Sequence, residues 1–243
     1  MKRIIGLAGQ AGSGKDTIAS MVSSLVPKTK LIAQAEPLKE LGETFMGFTK
    51  DQLYGPSHMR NATDMRFNDP KEWDLLSNDA KWDWLKKYLP HHWDENRLEK
   101  FLSKLRVSTL DAQVGLSPRT FLQQLGTEFG RSISPTVWND IAVRRAHQAL
   151  SSEANLVIIT DIRFRNEIMG VDNAGGQVIL VKNPQTETLG GQNATHQSEA
   201  ELANIPEFWF DMVFINDKTK GLEHLESMVK SHLVEYKPKP VLG

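Results

Sequence analysis

The sequence of 243 residues contains no cysteine, which excludes disulfide bonds, thiolate nucleophiles and cysteine-ligated metal sites. It also has no excess of charge of one sign, because 29 basic and 30 acidic residues give a formal net charge of −1. A chain without a basic surplus creates no overall field that attracts nucleic acid or an anionic membrane. We therefore expect neither of them as a partner.

Long apolar runs are also missing. No run of about 18 apolar residues occurs, so we expect no membrane-spanning helix. The basic amino terminus and the apolar residues after it resemble the start of a signal peptide, but the apolar run ends at Gln10 and Lys15. The seven histidines show no H-E-x-x-H spacing, which argues against a zinc site. These absences favour a cytoplasmic protein.

Short apolar runs do occur, and they alternate with stretches of helical periodicity. This alternation predicts an α/β fold, with a mostly parallel sheet covered by helices on both faces. Ser117 and Pro118 are suited to the N-cap and the first turn of one helix. The predicted strands are 3–9, 30–35, 155–161, 177–183 and 211–217, and the predicted helices are 16–26, 37–48, 117–131, 136–152, 165–176 and 221–234.

Residues 49–116 differ in character from the rest of the chain. They hold four of the six tryptophans and are rich in Asp, Asn, Lys and His. Helical periodicity is present near 70–89 and 94–106. We interpret the segment as a helical insertion in a single domain of residues 1–243, where it would cover the substrate as a lid.

Residues 9–17, GQAGSGKDT, nearly match the phosphate-binding pattern G-x-x-x-x-G-K-[ST]. Glycines allow positive φ and let several backbone N–H groups point to one centre. The helix that follows adds the positive end of its dipole, and its lysine would reach the β- and γ-phosphates. The alternative is a glycine turn that only joins a strand to a helix. The residues predicted to bind the nucleotide are Gly9, Ala11, Gly12, Ser13, Gly14, Lys15, Asp16 and Thr17.

Asp16 stands where the pattern expects a Ser or Thr whose hydroxyl binds Mg²⁺. A carboxylate oxygen is also a suitable ligand for Mg²⁺, directly or through water. Thr17, one residue further, offers a hydroxyl group. We therefore predict Asp16 and Thr17 as Mg²⁺ contacts, and helix capping by Asp16 is the alternative.

A second group of charged residues lies in VIITDIR, where Asp161 follows a buried strand. In open α/β sheets, ligands bind at the carboxyl ends of strands, so Asp161 is a candidate for holding Mg²⁺ or orienting a substrate. The alternative is a salt bridge at the strand end. Phosphoryl transfer also requires cations near the transferred group. The candidates are Lys39, Arg60, Arg66, Arg119, Arg131 and Arg163.

Seven segments together resemble one protein family. In chain order they are GLAGQAGSGKDT, EPLKE, FLQQLGTE, VWND, TDIRFRNE, THQSEAEL and IND. This is the order found in phage deoxynucleoside monophosphate kinases, and the resemblance is weakest over roughly 50–115. The segment GKDT is similar to the loop of that family, so Asp16 looks like a family variant.

The resemblance implies a P-loop kinase fold, with a parallel five-stranded sheet flanked by helices and with movable lids. It implies transfer of the γ-phosphate of ATP to a deoxynucleoside monophosphate with the help of Mg²⁺. Asn216 and Asp217 would border the adenine of ATP. Lys15, Arg119, Asp161 and Arg163 would be catalytic. The acceptor nucleotide would be surrounded by Leu38, Lys39, Arg60, Arg119, Gly126, Thr127, Trp138, Asp161, Arg163 and Glu167.

The main alternative is a P-loop kinase for another small acceptor, such as phosphomevalonate or dephospho-coenzyme A. A hydroxyl acceptor usually needs a general base, whereas a phosphate acceptor is mostly dianionic at neutral pH. Lys39 between Glu36 and Glu40 is compatible with holding an anion and favours a phosphate acceptor. A nucleotide-dependent switch or motor would need a residue that positions water, and no such signature is evident.

The sequence leaves open which bases are accepted, the preference for ribose or deoxyribose, and the oligomeric state. Small-molecule nucleotides are the expected partners, and a homodimer is compatible with the sequence. The expected location is the cytoplasm, which would be that of the host if a phage encodes the chain.

Overall fold

The computed structural model describes residues 3–65, 117–123, 125–126, 134–185 and 201–234, together with Asn96 and Arg131. Its contacts divide the chain into two compact units. The first unit combines Met1–Gln34 with Ala142–Gly243, and the second is Ala35–Ile141. The sheet belongs to the first unit, and the described elements of the second unit are helices and loops.

Five parallel strands form one sheet in the order β2-β3-β1-β4-β5. The prediction of a parallel five-stranded sheet is therefore confirmed, and each predicted strand is present with somewhat different ends. Because β1 is the middle strand, the glycine-rich loop after it emerges between the carboxyl ends of its neighbours. The strands are β1 (Arg3–Ala8), β2 (Thr29–Ala33), β3 (Leu156–Ile162), β4 (Gln177–Lys182) and β5 (Met212–Ile215).

We number eight α-helices in chain order, and residues 201–203, Asn96 and Arg131 are helical as well. A π-helical turn, Lys230–Val234, extends the last of them, and 3₁₀ turns cover Glu207–Trp209 and Lys218–Lys220. No helix of the described part is both long and apolar enough to cross a membrane. The helices are α1 (Lys15–Leu25), α2 (Glu36–Met46), α3 (Lys50–Tyr54), α4 (Ser57–Asn61), α5 (Pro118–Gln123), α6 (Val137–Ser152), α7 (Arg165–Asn173) and α8 (Gly221–Val229).

Helices cover both faces of the sheet. Alternate residues of a strand point to opposite faces, so β1 contributes to two apolar clusters. One cluster contains Ile4 of β1 and Ile168 of α7. The other contains Ile5 of β1, Ile18 of α1 and Leu225 of α8. Burial on both faces explains why the strands are nearly continuous apolar runs.

The described helices of the second unit pack through an aromatic pair. The rings of Phe48 and Phe121 meet edge to face, with their centroids 5.6 Å apart. Helix α5 contacts α2, α3 and α4. As predicted, Ser117 caps α5, since its hydroxyl accepts the N–H of Thr120 at 3.1 Å. The described run of this helix reaches Gln123, and Arg131 at the predicted end is also helical, while residues 124 and 127–130 lie outside the described residues.

The insertion predicted over 49–116 falls within the second unit. Its residues 49–65 form α3 and α4 with their connecting turns. Apart from Asn96, the predicted helices near 70–89 and 94–106 lie outside the described residues. The lid role and the interpretation of residues 1–243 as a single domain stay predictions.

Gly6 of β1 is closely surrounded by side chains of β3, β4 and α7. A Cβ added there would fall on Cδ1 of Ile162 and would lie 3.3 Å from Val178 and 3.4 Å from Val171. We expect Gly6→Ala to lower the free energy of unfolding by about 1–3 kcal/mol, because extra volume in a packed core forces side chains to shift. Urea denaturation measures this loss.

The variant Ile162→Val serves as the control, because it removes the Cδ1 atom that the new Cβ meets. Alone it should cost about 0.5–1.5 kcal/mol. The double variant should lose less than the sum of the two single losses, since the clash is relieved. Additive losses would contradict the proposed contact.

Candidate active site

The glycine-rich loop, residues 9–14, joins β1 to α1. Gly12 and Gly14 have positive φ angles of 80° and 91°, which side chains with a Cβ rarely adopt. Gly9 is needed for a different reason. A Cβ there would lie 2.5 Å from Ser13 Oγ and 2.7 Å from the carbonyl oxygen of Val181. Both backbone conformation and close packing therefore require the glycines of the motif.

Lys15 is the buried cation at the start of α1, and the residue is only 6% exposed. Its Nζ lies 3.3 Å from Asp161 Oδ1 and 3.6 Å from Asp16 Oδ2. A buried ammonium group is costly unless a carboxylate balances it. The salt bridge considered for Asp161 from the sequence is therefore present, and its partner is the lysine of the loop.

Asp161 occupies a strained position in the backbone. It is the penultimate residue of β3, which runs one residue beyond the predicted strand end at 161, so Asp161 lies within the strand. Its φ is 65°, in the left-handed region that Asp tolerates better than most residues. The register runs from Gly6 opposite Ile159 to Ala8 opposite Ile162, which gives β3 one extra residue. Such a bulge changes the direction of a side chain at a strand end.

Glu167 holds the turn that carries Arg163. Its Oε2 accepts the backbone N–H of Arg163 at 2.7 Å and that of Phe164 at 3.1 Å. The residue is 3% exposed, and Arg163 is half-buried. The resemblance placed Glu167 around the acceptor nucleotide, and the structure adds a capping role. A glutamate in the first turn of a helix is the signal that could have predicted this role.

Two asparagine side chains outside the motif bind the loop. Asn216 follows β5 and donates from Nδ2 to the carbonyl oxygen of Ser13 at 2.8 Å. Asn183 follows β4 and donates from Nδ2 to the carbonyl oxygen of Gly12 at 3.2 Å. The resemblance assigned Asn216 to the adenine, a role that stays a prediction. No signal in the sequence points to Asn183, because one asparagine after a strand forms no pattern.

Asp217 connects the segments that follow β4 and β5. Its Oδ1 accepts the hydroxyl of Thr219 at 2.6 Å and Nε2 of Gln185 at 2.7 Å. The hydrogen bond from Thr219, followed by that from Gln185, lowers the pKa of the Asp217 carboxyl below its usual value. The carboxylate therefore stays ionised well below neutral pH. The contact of Asp217 with adenine stays a prediction.

Three of the predicted acceptor residues pack against one another in the second unit. Trp138 Nε1 donates to the carbonyl oxygen of Gly126 at 3.0 Å, and the tryptophan is 3% exposed. A Cβ on Gly126 would lie 3.1 Å from Leu38 Cδ1. The indole N–H is therefore already used within the unit. Thr127 lies outside the described residues.

The predicted cations of the second unit have different surroundings. Lys39 Nζ lies 4.2 Å above the centre of the Tyr54 ring. Arg60 Nη2 donates to Ser57 Oγ at 3.4 Å, and its buried Nε has no hydrogen-bond partner among the described residues. Arg119 is half-buried on α5, which contacts the helix of Arg60.

The loop has the properties that a bound phosphate requires. The Oγ of Ser13 is buried and finds no hydrogen-bond partner in the described part of the chain. Lys15 supplies a positive charge, and the first turn of α1 supplies unpaired N–H groups. Phosphate oxygens would accept from all of these donors.

A magnesium ion would have fewer protein ligands. The side chains of Asp16 and Asp161 are 79% and 32% exposed, and both are near Lys15. Within the described residues, no group of three His, Cys, Asp or Glu side chains could hold a metal. An ion here would therefore need oxygens of the nucleotide and of water besides these carboxylates.

The deoxynucleotide monophosphate kinase family model matches residues 3–229. A deoxynucleoside-5′-monophosphate kinase of Escherichia phage T5 is 27% identical over 267 residues of alignment that cover 100% of both chains. A protein of Acanthamoeba polyphaga mimivirus, provisionally named a deoxynucleotide monophosphate kinase, is 25% identical over 234 residues, 89% of each chain. A uridine kinase of Borrelia garinii subsp. bavariensis is 36% identical over 61 residues, 25% of this chain and 30% of that one.

The resemblance drawn from seven short segments is thus confirmed over nearly the whole chain. A family match across residues 3–229, with a loop whose donors fit a phosphate, shows that the chain belongs to the deoxynucleotide monophosphate kinase family.

Proposed function

We propose that this kinase transfers the γ-phosphate of ATP to a deoxynucleoside monophosphate. The observation that carries the proposal is the environment of Lys15. A 6%-exposed lysine at the start of a helix, 3.3 Å from the carboxylate of Asp161, provides a positioned cation where phosphate groups can bind. Because Lys15 is buried, its charge interactions are stronger than they would be in water.

On the donor side, Lys15 would exchange part of its contact with Asp161 for the β- and γ-phosphates. Its ammonium group would then stabilise the charge that develops on the oxygens of the transferred phosphoryl group. The hydroxyl of Ser13 would donate to a phosphate oxygen and gain the partner that it lacks among the described residues.

Asp16 and Thr17 are the residues proposed to hold Mg²⁺, either directly or through water. Both are exposed at the start of α1. When bound, Mg²⁺ would neutralise charge on the β- and γ-phosphates. Asp161 is a further candidate, since its carboxylate is partly exposed and is near the same lysine.

On the acceptor side, the guanidinium group of Arg163 would bind the phosphate of the monophosphate. Arginine suits this role because its planar fork donates two parallel hydrogen bonds. Glu167 supports it by fixing the backbone of Arg163. Lys39, Arg60 and Arg119 stay predicted contacts of the acceptor nucleotide.

The state of the acidic residues favours a phosphate acceptor over a hydroxyl acceptor. Glu167 accepts two backbone N–H groups, and the carboxylate of Asp161 would pass from Lys15 to Mg²⁺ or its waters when the phosphates bind, so both carboxylates have other partners. A hydroxyl acceptor would require a general base, whereas the dianionic phosphate needs none. The need for a base disfavours dephospho-coenzyme A, which accepts on a hydroxyl group, and the family match favours nucleotides over phosphomevalonate, which also accepts on a phosphate. The cytoplasmic location and a homodimer stay predictions.

A panel of acceptors tests the proposed function. Wild-type protein with ATP and Mg²⁺ should form ADP at a rate that depends on added deoxynucleoside monophosphate, measured for each common deoxy- and ribonucleotide. Acceptor-independent ADP release would indicate an ATPase.

Lys15→Ala should lower kcat about a hundredfold or more, because a lost transition-state cation costs roughly 2–4 kcal/mol. The exposed Lys30→Ala should leave the rate unchanged, and a near-normal kcat in Lys15→Ala would refute a catalytic loop.

The metal role of Asp16 is tested with Asp16→Asn. If the carboxylate helps to hold Mg²⁺, the Mg²⁺ concentration for half-maximal rate should rise about tenfold, since an amide is a weaker ligand for this ion. Asp51→Asn is the control, because it removes an acidic residue from the first turn of another helix. An unchanged Mg²⁺ titration would favour an effect of Asp16 on the helix dipole alone.

The acceptor role of Arg163 is tested with Arg163→Lys. Loss of the two-pronged contact should lower kcat/KM for the monophosphate about tenfold or more, and kcat/KM for ATP should change much less. Arg165→Lys is the matched control, because that exposed arginine lies 5.5 Å from the centre of the Trp209 ring. Equal losses for both substrates would assign Arg163 to the donor or to a structural contact.

A further inference from the structure

Two buried amide groups hold the backbone of the phosphate loop from outside the motif. Asn183 and Asn216 bind the carbonyl oxygens of the consecutive residues Gly12 and Ser13. The two asparagines are 2% and 4% exposed. They follow β4 and β5, and the backbone N–H of Asn216 donates to the carbonyl oxygen of Lys182 at 2.8 Å. The ends of β4 and β5, which are hydrogen-bonded to each other, thus position both amides beside the loop.

The planarity of the peptide bond transmits these contacts to the N–H groups of the loop. In a trans peptide, the C=O and the N–H of one unit point in opposite directions. When Asn216 binds the carbonyl of Ser13, the N–H of Gly14 must point away from Asn216. In the same way, Asn183 binds the carbonyl oxygen of Gly12 and so orients the peptide unit between Gly12 and Ser13. The N–H of that unit, which belongs to Ser13, donates to the carbonyl oxygen of Gln10 at 3.1 Å. The two amides therefore determine the direction of consecutive peptide units.

Hydrogen-bond chemistry determines the orientation of both amides. A carbonyl oxygen only accepts, so the NH₂ group of each asparagine must face the loop. The other end of Asn183 agrees with this assignment, because its Oδ1 accepts the backbone N–H of Gln185 at 2.9 Å. An aspartate could therefore keep that contact with Gln185 but could not donate to Gly12.

Gly14 and Asn216 are also matched in shape. A Cβ on Gly14 would fall on Nδ2 of Asn216. The glycine that precedes the catalytic lysine is required both by its φ of 91° and by the amide beside it. A residue of the motif and a residue far along the chain therefore depend on each other.

The segments that carry the two asparagines are connected to each other. Gln185 Nε2 donates to Asp217 Oδ1 at 2.7 Å, and its Oε1 accepts the backbone N–H of Lys218 at 3.2 Å. Asn183 contacts Gln185, and Asp217 is the neighbour of Asn216 in the chain. Connected networks of this kind restrict the positions of their members.

We propose that Asn183 and Asn216 are positioning residues, which hold the phosphate loop in its binding conformation before the nucleotide arrives. They act on the phosphates through the backbone of the loop and not by contacting the base. Donors that are oriented in advance need no reorganisation when a charge arrives, whereas a loose loop must be ordered at the expense of affinity. The proposal relies on the proposed function only for the identity of the nucleotide.

The experiment uses the isosteric variants Asn216→Asp and Asn183→Asp in the full chain. Each replaces the NH₂ donor by an oxygen that faces a carbonyl oxygen and changes the shape very little. The matched control is Asn155→Asp. Asn155 Nδ2 also donates to a backbone carbonyl, that of Pro27 at 3.2 Å, but it precedes β3 and so lies at the amino end of the parallel strands. Asn216→Ala removes the amide without adding a charge.

The first readout is the dissociation constant of ATP with Mg²⁺ and no acceptor, measured by calorimetry. We expect Asn216→Asp and Asn183→Asp to weaken binding about 10- to 100-fold, because each loses a buried hydrogen bond and places two acceptors together. Asn216→Ala should weaken binding less than Asn216→Asp, and Asn155→Asp should leave it unchanged. Thermal melting of each variant shows that the loss belongs to folded protein.

The second readout is the binding of tripolyphosphate, which has no base. If the asparagines act through the loop, tripolyphosphate binding should weaken by the same factor as ATP binding. The KM of the acceptor should change much less than the KM of ATP. A structural defect alone would lower the melting temperature without this split between the two substrates.

Three outcomes would overturn the proposal. A loss for ATP but not for tripolyphosphate would mean that Asn216 contacts the adenine. Unchanged binding of both probes would mean that the loop keeps its conformation without the amides. A wild-type protein that binds neither probe would overturn this proposal and the proposed function together. If wild-type protein binds ATP but does not phosphorylate a monophosphate, only the proposed function fails, and the binding comparison still decides this proposal.

Discussion

An ammonium group buried at the start of α1 needs a carboxylate beside it, and in this chain Asp161 supplies one. Burying an unpaired charge costs much free energy, so the pair of Lys15 and Asp161 restricts the positions of the elements that carry the two residues, α1 and β3. It couples the middle strand β1, through the loop and α1, to the neighbouring strand β3. The extra residue in β3 and the left-handed φ of Asp161 occur at the point of the strand where the carboxylate contacts Lys15.

The same contact also bears on phosphate binding. Asp161 neutralises the charge of Lys15, and a phosphate would offer the lysine a competing anion. The carboxylate would then be available for a metal ion or its waters, at a partly exposed position beside the phosphates. Glu167 follows this strand in the chain and holds the backbone of Arg163, so one short segment carries both the carboxylate beside Lys15 and the arginine that we propose for the acceptor phosphate.

The loop itself depends on contacts from distant parts of the chain. A phosphate loop directs its N–H groups inward, so its carbonyl groups need partners on the outer side. Asn183 and Asn216 provide them for two consecutive residues, and the ends of β4 and β5 carry both asparagines. In the second unit, several residues that the resemblance assigned to the substrate already have packing contacts within the unit. Trp138 and Leu38 both contact Gly126 or its backbone, so their predicted approach to a nucleotide has to be compatible with that packing.

The sequence by itself determined the parallel sheet, the order of its elements and the position of the phosphate loop. These features depend on local patterns, namely apolar runs, helical periodicity and glycines at fixed spacing, which act over a few residues. The capping role of Glu167 is also local, because its partners lie three and four residues away. The tertiary structure alone decided that Asp161 pairs with Lys15 and that Asn183 binds the loop. Each of these two contacts joins groups through a bulge or a strand end, whose geometry arises only when the sheet has formed. No short pattern around Asn183 records that its partner, Gly12, lies 171 residues earlier in the chain.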